Sequence, residues 1–250
     1  MSTQAHPAKA PVNRGVEALS LAALANLWRS LDKLLPLWFG LAAFHALARA
    51  AVHAQAADAW PLRAILENEA SMLTTMLVSA LAAAVALRVF LGRARQAMRV
   101  TPGLAGFVGI VILLGVAPAM ILMGAHAPAA DGSGIDLTVG MIRMSLALAT
   151  GTVMFWVSLR LTLWPIARLL GDNRVTSGQS WALMRGATGR YAAALGLLVG
   201  PMLLLNALLD LLTREASPLI HGAATAPLSA AISLTAAAVA AEVYRMRMGL

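Results

Sequence analysis

The sequence predicts an all-α, polytopic integral membrane protein with six transmembrane helices, an N-terminal amphipathic interfacial helix and a short cytoplasmic elbow helix. Three observations carry that expectation. Hydrophobic residues make up 60% of the 250-residue chain, against roughly 45–50% in soluble proteins. Only 12% is charged, while Ala and Leu alone supply 53 and 44 residues. A soluble domain of this size needs polar cover that this composition does not provide. Finally, residues 70–87, 100–130, 191–209 and 216–241 contain no Asp, Glu, Lys or Arg. Each is close to or above the roughly 20 apolar residues that cross a bilayer core as a helix.

The elements follow in order. Residues 1–15 are polar and contain Pro, the composition of a disordered tail. Residues 16–35 place Leu24, Leu27, Trp28, Leu31, Leu34 and Leu35 on one helical face and Glu17, Ser20, Arg29, Asp32 and Lys33 elsewhere. That pattern suits a helix lying in the inner leaflet with Trp28 at headgroup depth. A plain extension of the first span is the alternative, against which Pro36 favours a break. Residues 36–250 read as a single six-helix domain with spans at 36–53, 70–91, 104–124, 137–164, 191–212 and 227–246. The first and fourth reach full length only if Arg49, Arg143 and Arg160 snorkel to the interface. Turn-rich connections are expected at 54–68 (Trp60-Pro61), 125–136 and 213–227 (Pro218, His221-Gly222, Pro227). The connections 92–103 and 168–190 are Arg-rich instead. Ala54-Gln55-Ala56 has the small-x-small form of a signal-peptidase site, but the preceding segment is too long and Arg49 interrupts it.

A net charge of +8 would suggest nucleic acid in a soluble protein. Here it reads as an orientation signal. With the N-terminus inside, Arg49, Arg63, Arg143 and Arg214 are the only basic residues outside, and the other 15 of 19 lie inside. The expectation is a bacterial inner-membrane protein with both termini cytoplasmic and no nucleic-acid partner. Arg93, Arg95, Arg99, Arg168, Arg174, Arg185 and Arg190 are then candidates for anionic lipid headgroups, each worth about 1 kcal/mol near such a surface. The chain has no Cys, which excludes disulfides, thiolate metal sites and Cys nucleophiles.

Ionisable residues at membrane depth raise a functional question first. Arg143 and Asp210 fall at the same outer level and could pair. Glu242 lies at the inner end of span six, within reach of Arg88, Arg160 or, one turn along its own helix, Arg245. A packing clasp explains both pairings better than a proton or substrate site. The outer histidines, His53, His126 and His221, show no ligand spacing, so no metal or other cofactor is expected. Gly132-Ser133-Gly134 lacks the strand–turn–helix setting of a hydrolase elbow, and no phosphate loop is present. Gly196 and Gly200 form a GxxxG beside Pro201, a packing motif that serves the bundle itself first and a homodimer or another membrane protein second. Ser229, Ser233, Ala237 and Ala241 make a second small-residue ridge.

The loop 168–190 adds an elbow helix at 178–185, capped by Thr176 or Ser177 and ended by Gly186. Its run Ser180-Trp181-Ala182-Leu183-Met184-Arg185-Gly186, followed by a Gly/Leu/Pro-rich span, resembles a set of bacterial six-helix membrane proteins. These are similar to the membrane domain that accompanies some glycerophosphodiester phosphodiesterases. The likeness covers about residues 158–205. It implies the architecture and speaks against catalysis, because enzymatic members carry a separate soluble domain with acidic metal ligands and His that this chain has no room for. The expected function is that of a non-catalytic scaffold or accessory subunit, not an enzyme. The alternative is a small-solute or lipid-related transporter with a site near Pro118, Arg143, Pro201 and Asp210.

Overall fold

The computed structural model describes residues 15–55, 61–126, 137–213 and 215–250, all helix and connections, with no strand among them. The order is α1 (Val16–Arg29), α2 (Leu31–Gln55), α3 (Pro61–Phe90), a 3-10 turn (Ala94–Gln96), α4 (Pro102–His126), α5 (Leu137–Leu161), α6 (Leu163–Leu169), α7 (Ser177–Leu183), α8 (Thr188–Thr213) and α9 (Pro218–Met248). Four helices are long and apolar enough to cross a membrane, over Leu31–Ala50, Met72–Phe90, Thr188–Thr213 and Pro218–Met248. The apolar stretches described in α4 and α5 are shorter, Pro102–Gly115 and Leu148–Leu161.

α9 is the central mast. It packs against α1, α2, α3 and α8, and every residue from Ala237 to Tyr244 is buried, as for a helix covered on all sides. Small side chains permit this, because Ala lets several neighbouring backbones come close at once. The tightest approach is to α2: a Cβ built on Gly222 would stand 2.7 Å from the Ala46 carbonyl oxygen. Trp38 fixes the register by donating its Nε1–H to the Pro227 carbonyl at 3.1 Å. α4 lies against α3, α5 and α6, and α5 reaches α7 and α8, forming an outer layer. Along α5 and just beyond it, Thr150, Thr152, Ser158 and Thr162 donate their hydroxyls to carbonyls four residues back, at 2.8–2.9 Å. Their polarity is thereby satisfied within the helix backbone.

Several boundaries differ from expectation. α3 and α9 begin at Pro61 and Pro218, so 61–68 and 218–226 are helix rather than loop; Pro at a first helical position loses no intrahelical bond. Pro227 sits inside α9. Pro36 likewise falls inside α2, and the break comes earlier, at Ser30, whose carbonyl accepts from Lys33 and Leu34 at 3.1 and 3.0 Å to start α2. Span four stops at Leu161, because Thr162 separates α5 from α6. α1 turns inward not its large apolar face but Leu19, Ser20, Ala23 and Asn26. Leu24, Trp28, Leu31 and Leu35 stay exposed, whereas Leu34 is buried and Leu27 half-buried. The small face fits the Ala-rich surface of α9, and much of the large one stays exposed. The elbow helix α7 is capped as expected: Thr176 and Gln179 exchange side-chain bonds with each other's backbone N–H, a capping box.

Candidate functional site: charge clusters inside the bundle

Two polar clusters lie at opposite ends of α9. His221 and Glu242 are separated by 21 residues on one helix, which is about 30 Å, the thickness of a bilayer's hydrocarbon core.

The first cluster joins α2, α8 and α9. Arg49 donates to the Thr225 hydroxyl, lies 3.5 Å from Ser229 Oγ, and stands 3.9 Å from the Asp210 carboxylate. His221 Nε2 is 3.3 Å from the same carboxylate oxygen. Its Nδ1 is 2.9 Å from the Thr213 hydroxyl, which donates to Leu209 O at 2.6 Å. Asp210 thus meets a guanidinium from α2 and an imidazole from α9. Its expected partner Arg143 has its side chain outside the described residues.

The second cluster joins α1, α3 and α9. The buried Glu242 carboxylate accepts from Arg245 Nη1 at 2.5 Å and from the Asn26 amide at 3.0 Å. Arg245 also donates to the Phe90 carbonyl at the end of α3. The local partner expected from i, i+3 spacing is present; Asn26 was not foreseen. Since Asn26 and Glu242 touch, the amino-terminal helix and the carboxyl-terminal end of α9 lie at the same end of the bundle.

Arg88 and Arg160, the other cations considered for Glu242, are committed elsewhere. Arg88, 3% exposed, donates to the carbonyls of Gln96, Ala97 and Arg99 at 3.1, 3.3 and 2.6 Å and to Thr101 Oγ1 at 2.7 Å. Arg160 lies over the rings of Trp156 and Trp181, 5.7 and 5.1 Å from their centroids. It also donates to Trp181 O at 3.3 Å, while Ser180 returns a 2.9 Å bond to Arg160 O. Together these contacts dock the elbow α7 on α5.

Of the cations expected at headgroups, Arg95, Arg99 and Arg185 are exposed and Arg190 is half-buried. Arg93 donates to Leu170 O and Arg168 to Asn173 Oδ1, both at 2.8 Å. Arg174 grips Asp172 at 3.1 Å, and its hydrogen bond holds the Asp172 carboxyl below the usual carboxylate range. On the described residues, no group of three His, Asp or Glu could hold a metal.

Two further expectations change. Gly196 is exposed and Gly200 only half-buried, and a Cβ built on either meets nothing within 4 Å, so this pair does not bring helices together within the chain. The close approaches fall at Gly222 and at Gly103, whose Cβ would collide with the Arg168 carbonyl. A mid-depth cavity of about 580 Å³ opens between α3, α4, α5, α6 and α9, and the described residues on its wall carry Ala, Leu, Phe and hydroxyl side chains and no charge. Pro201 and Asp210, two of the residues considered for a transport site, do not line it; the side chains of Pro118 and Arg143 lie outside the described residues.

No protein-family model, curated protein or solved structure matches the chain.

Proposed function

We propose that this chain is a non-catalytic bacterial inner-membrane protein of six spans, both termini cytoplasmic, that acts as a scaffold or accessory subunit. One observation carries the reading: Glu242 with Arg245, and Asp210 with Arg49 and His221, are engaged across helices, and the described wall of the mid-depth cavity is uncharged and largely apolar. Such charges clasp helices together, the work of a structural seam. α4 and α5, at 25 residues each, are about 37 Å long, which suits them as the third and fourth spans. The cytoplasmic orientation rests on the basic loops, and the resemblance over residues 158–205 is consistent with this architecture.

The absence of Cys makes a clean test available. Ala236→Cys, on the cavity wall, should resist a water-soluble, membrane-impermeant thiol reagent in intact cells and in inverted vesicles. Ser177→Cys, at the exposed start of α7, should react only in inverted vesicles. A stoichiometric membrane-protein partner in mild detergent supports the accessory role. Labelling of Ala236→Cys from water would overturn the reading in favour of transport, and labelling of Ser177→Cys in intact cells would reverse the orientation.

A further inference from the structure

A second cavity, of about 710 Å³, lies at the junction of α3, the 92–101 loop, the first turn of α4 and the end of α6. Its volume falls within the roughly 300–1,000 Å³ of small-ligand sites. Arg88, Arg93 and Arg168 all line it, and among the described residues no Asp or Glu does. The hydrogen bonds described for these three cations go to neutral oxygens: backbone carbonyls, the Thr101 hydroxyl and the Asn173 amide. The one carboxylate on the adjoining loop, Asp172, is engaged by Arg174. Hydrogen-bond geometry is therefore satisfied for Arg88 while its charge is not, and Arg88 is almost wholly buried. A guanidinium in that condition calls for an anion. Pro102 and Gly103, in the first turn of α4, line the same space, so the positive end of that helix dipole lies beside it. The arginine fork suits the oxygens of a phosphate better than those of any neutral group.

We infer that this cavity binds a phosphate group, carried either by a phospholipid head or by a soluble phosphate ester, with Arg88 as the buried anchor and Arg93 and Arg168 as the closing pair. The inference rests on the membrane reading above and narrows it from a basic surface to one built site. α3, α4 and α6 also line the apolar mid-depth cavity, so a lipid head held here would sit next to a place for an acyl chain.

The full-length protein in phosphatidylcholine nanodiscs doped with phosphatidic acid tests this by native mass spectrometry. The wild type should retain one phosphatidic acid per chain. Arg93→Gln with Arg168→Gln, which leaves Arg88 and its loop in place, should weaken retention about tenfold or more; the paired Lys variants should restore much of it. Arg95→Gln with Arg185→Gln removes the same charge from exposed positions outside the cavity and should change nothing. Displacement of the lipid by inorganic phosphate or glycerol 3-phosphate would identify a soluble ester as the ligand; failure to displace it would identify the lipid. Equal loss in both Gln pairs would overturn the proposal, as would no retention of any of the three probes. Either failure leaves the Ala236→Cys experiment untouched, so the site and the scaffold reading stand or fall separately.

Discussion

Replacing Glu242 with Gln keeps the shape of the side chain and removes the one charge that ties α1, α3 and α9 together. Glu242 is 7% exposed and Arg245 29% exposed. Breaking a fully buried pair destabilises by about 3–5 kcal/mol, mostly because the remaining charge is stranded. Arg245 is partly open and keeps the Phe90 carbonyl, so we expect a loss of about 2–3 kcal/mol for Glu242→Gln. Arg245→Leu should be worse, because it leaves a carboxylate with the Asn26 amide as its remaining described partner. Replacing both by Leu removes the stranded charge and should recover most of the loss. Asn26→Leu alone should cost about 1–2 kcal/mol, the loss of one hydrogen bond to a buried charge. Reversible unfolding in mixed micelles titrated with sodium dodecyl sulfate, followed by far-ultraviolet circular dichroism, measures all four. A Glu242→Gln protein within about 0.5 kcal/mol of wild type, the range of an ordinary surface change, would refute the reasoning. A double Leu variant less stable than Arg245→Leu would refute it equally.

Other expectations follow from the same geometry. Gly222→Ala must push α2 away from α9 and should destabilise by about 1–3 kcal/mol, whereas Gly196→Ala and Gly200→Ala should stay within about 0.5 kcal/mol, measured in the same titration. Arg160→Gln and Trp181→Ala should show a coupling of about 0.5–1 kcal/mol in a double-mutant cycle, since the guanidinium over the indole is lost in either variant. Asp172 has its carboxyl lowered by Arg174, so the stabilisation it lends is complete above the ordinary carboxylate range and fades as pH falls through the lowered value. The difference in thermal midpoint between wild type and Asp172→Asn should therefore shrink in acid; a difference that grows there would contradict the pairing.

Helix type and the approximate place of α3, α4, α8 and α9 were legible because each holds a charge-free run near lipid length, while α2 and α5 were legible only by letting arginines end a span. The starts of α3 and α9 were not, since Pro61 and Pro218 signal a turn and a first helical position equally well. Glu242 with Arg245 could be read from spacing along one helix. The contacts of Asp210 with Arg49 and His221 could not: depth along a helix says which cations share a level with a carboxylate, and which side chains reach it is not written in hydropathy. Asn26 escaped for a related reason. The large apolar residues of α1 dominate its pattern, yet its Ala-and-Ser face is the one that meets α9. A GxxxG in a hydrophobic stretch is similarly silent about whether a neighbour uses it.

The position of α9 also has a consequence for biosynthesis. It follows its packing partners in chain order, so α1, α2, α3 and α8 are synthesised before the helix that fills the space between them. During that interval Asn26, Arg49 and Asp210 lack their partners on α9, and the contacts that complete the core span some two hundred residues of chain, which slows their formation. Closure of the core therefore waits on the helix that is made last.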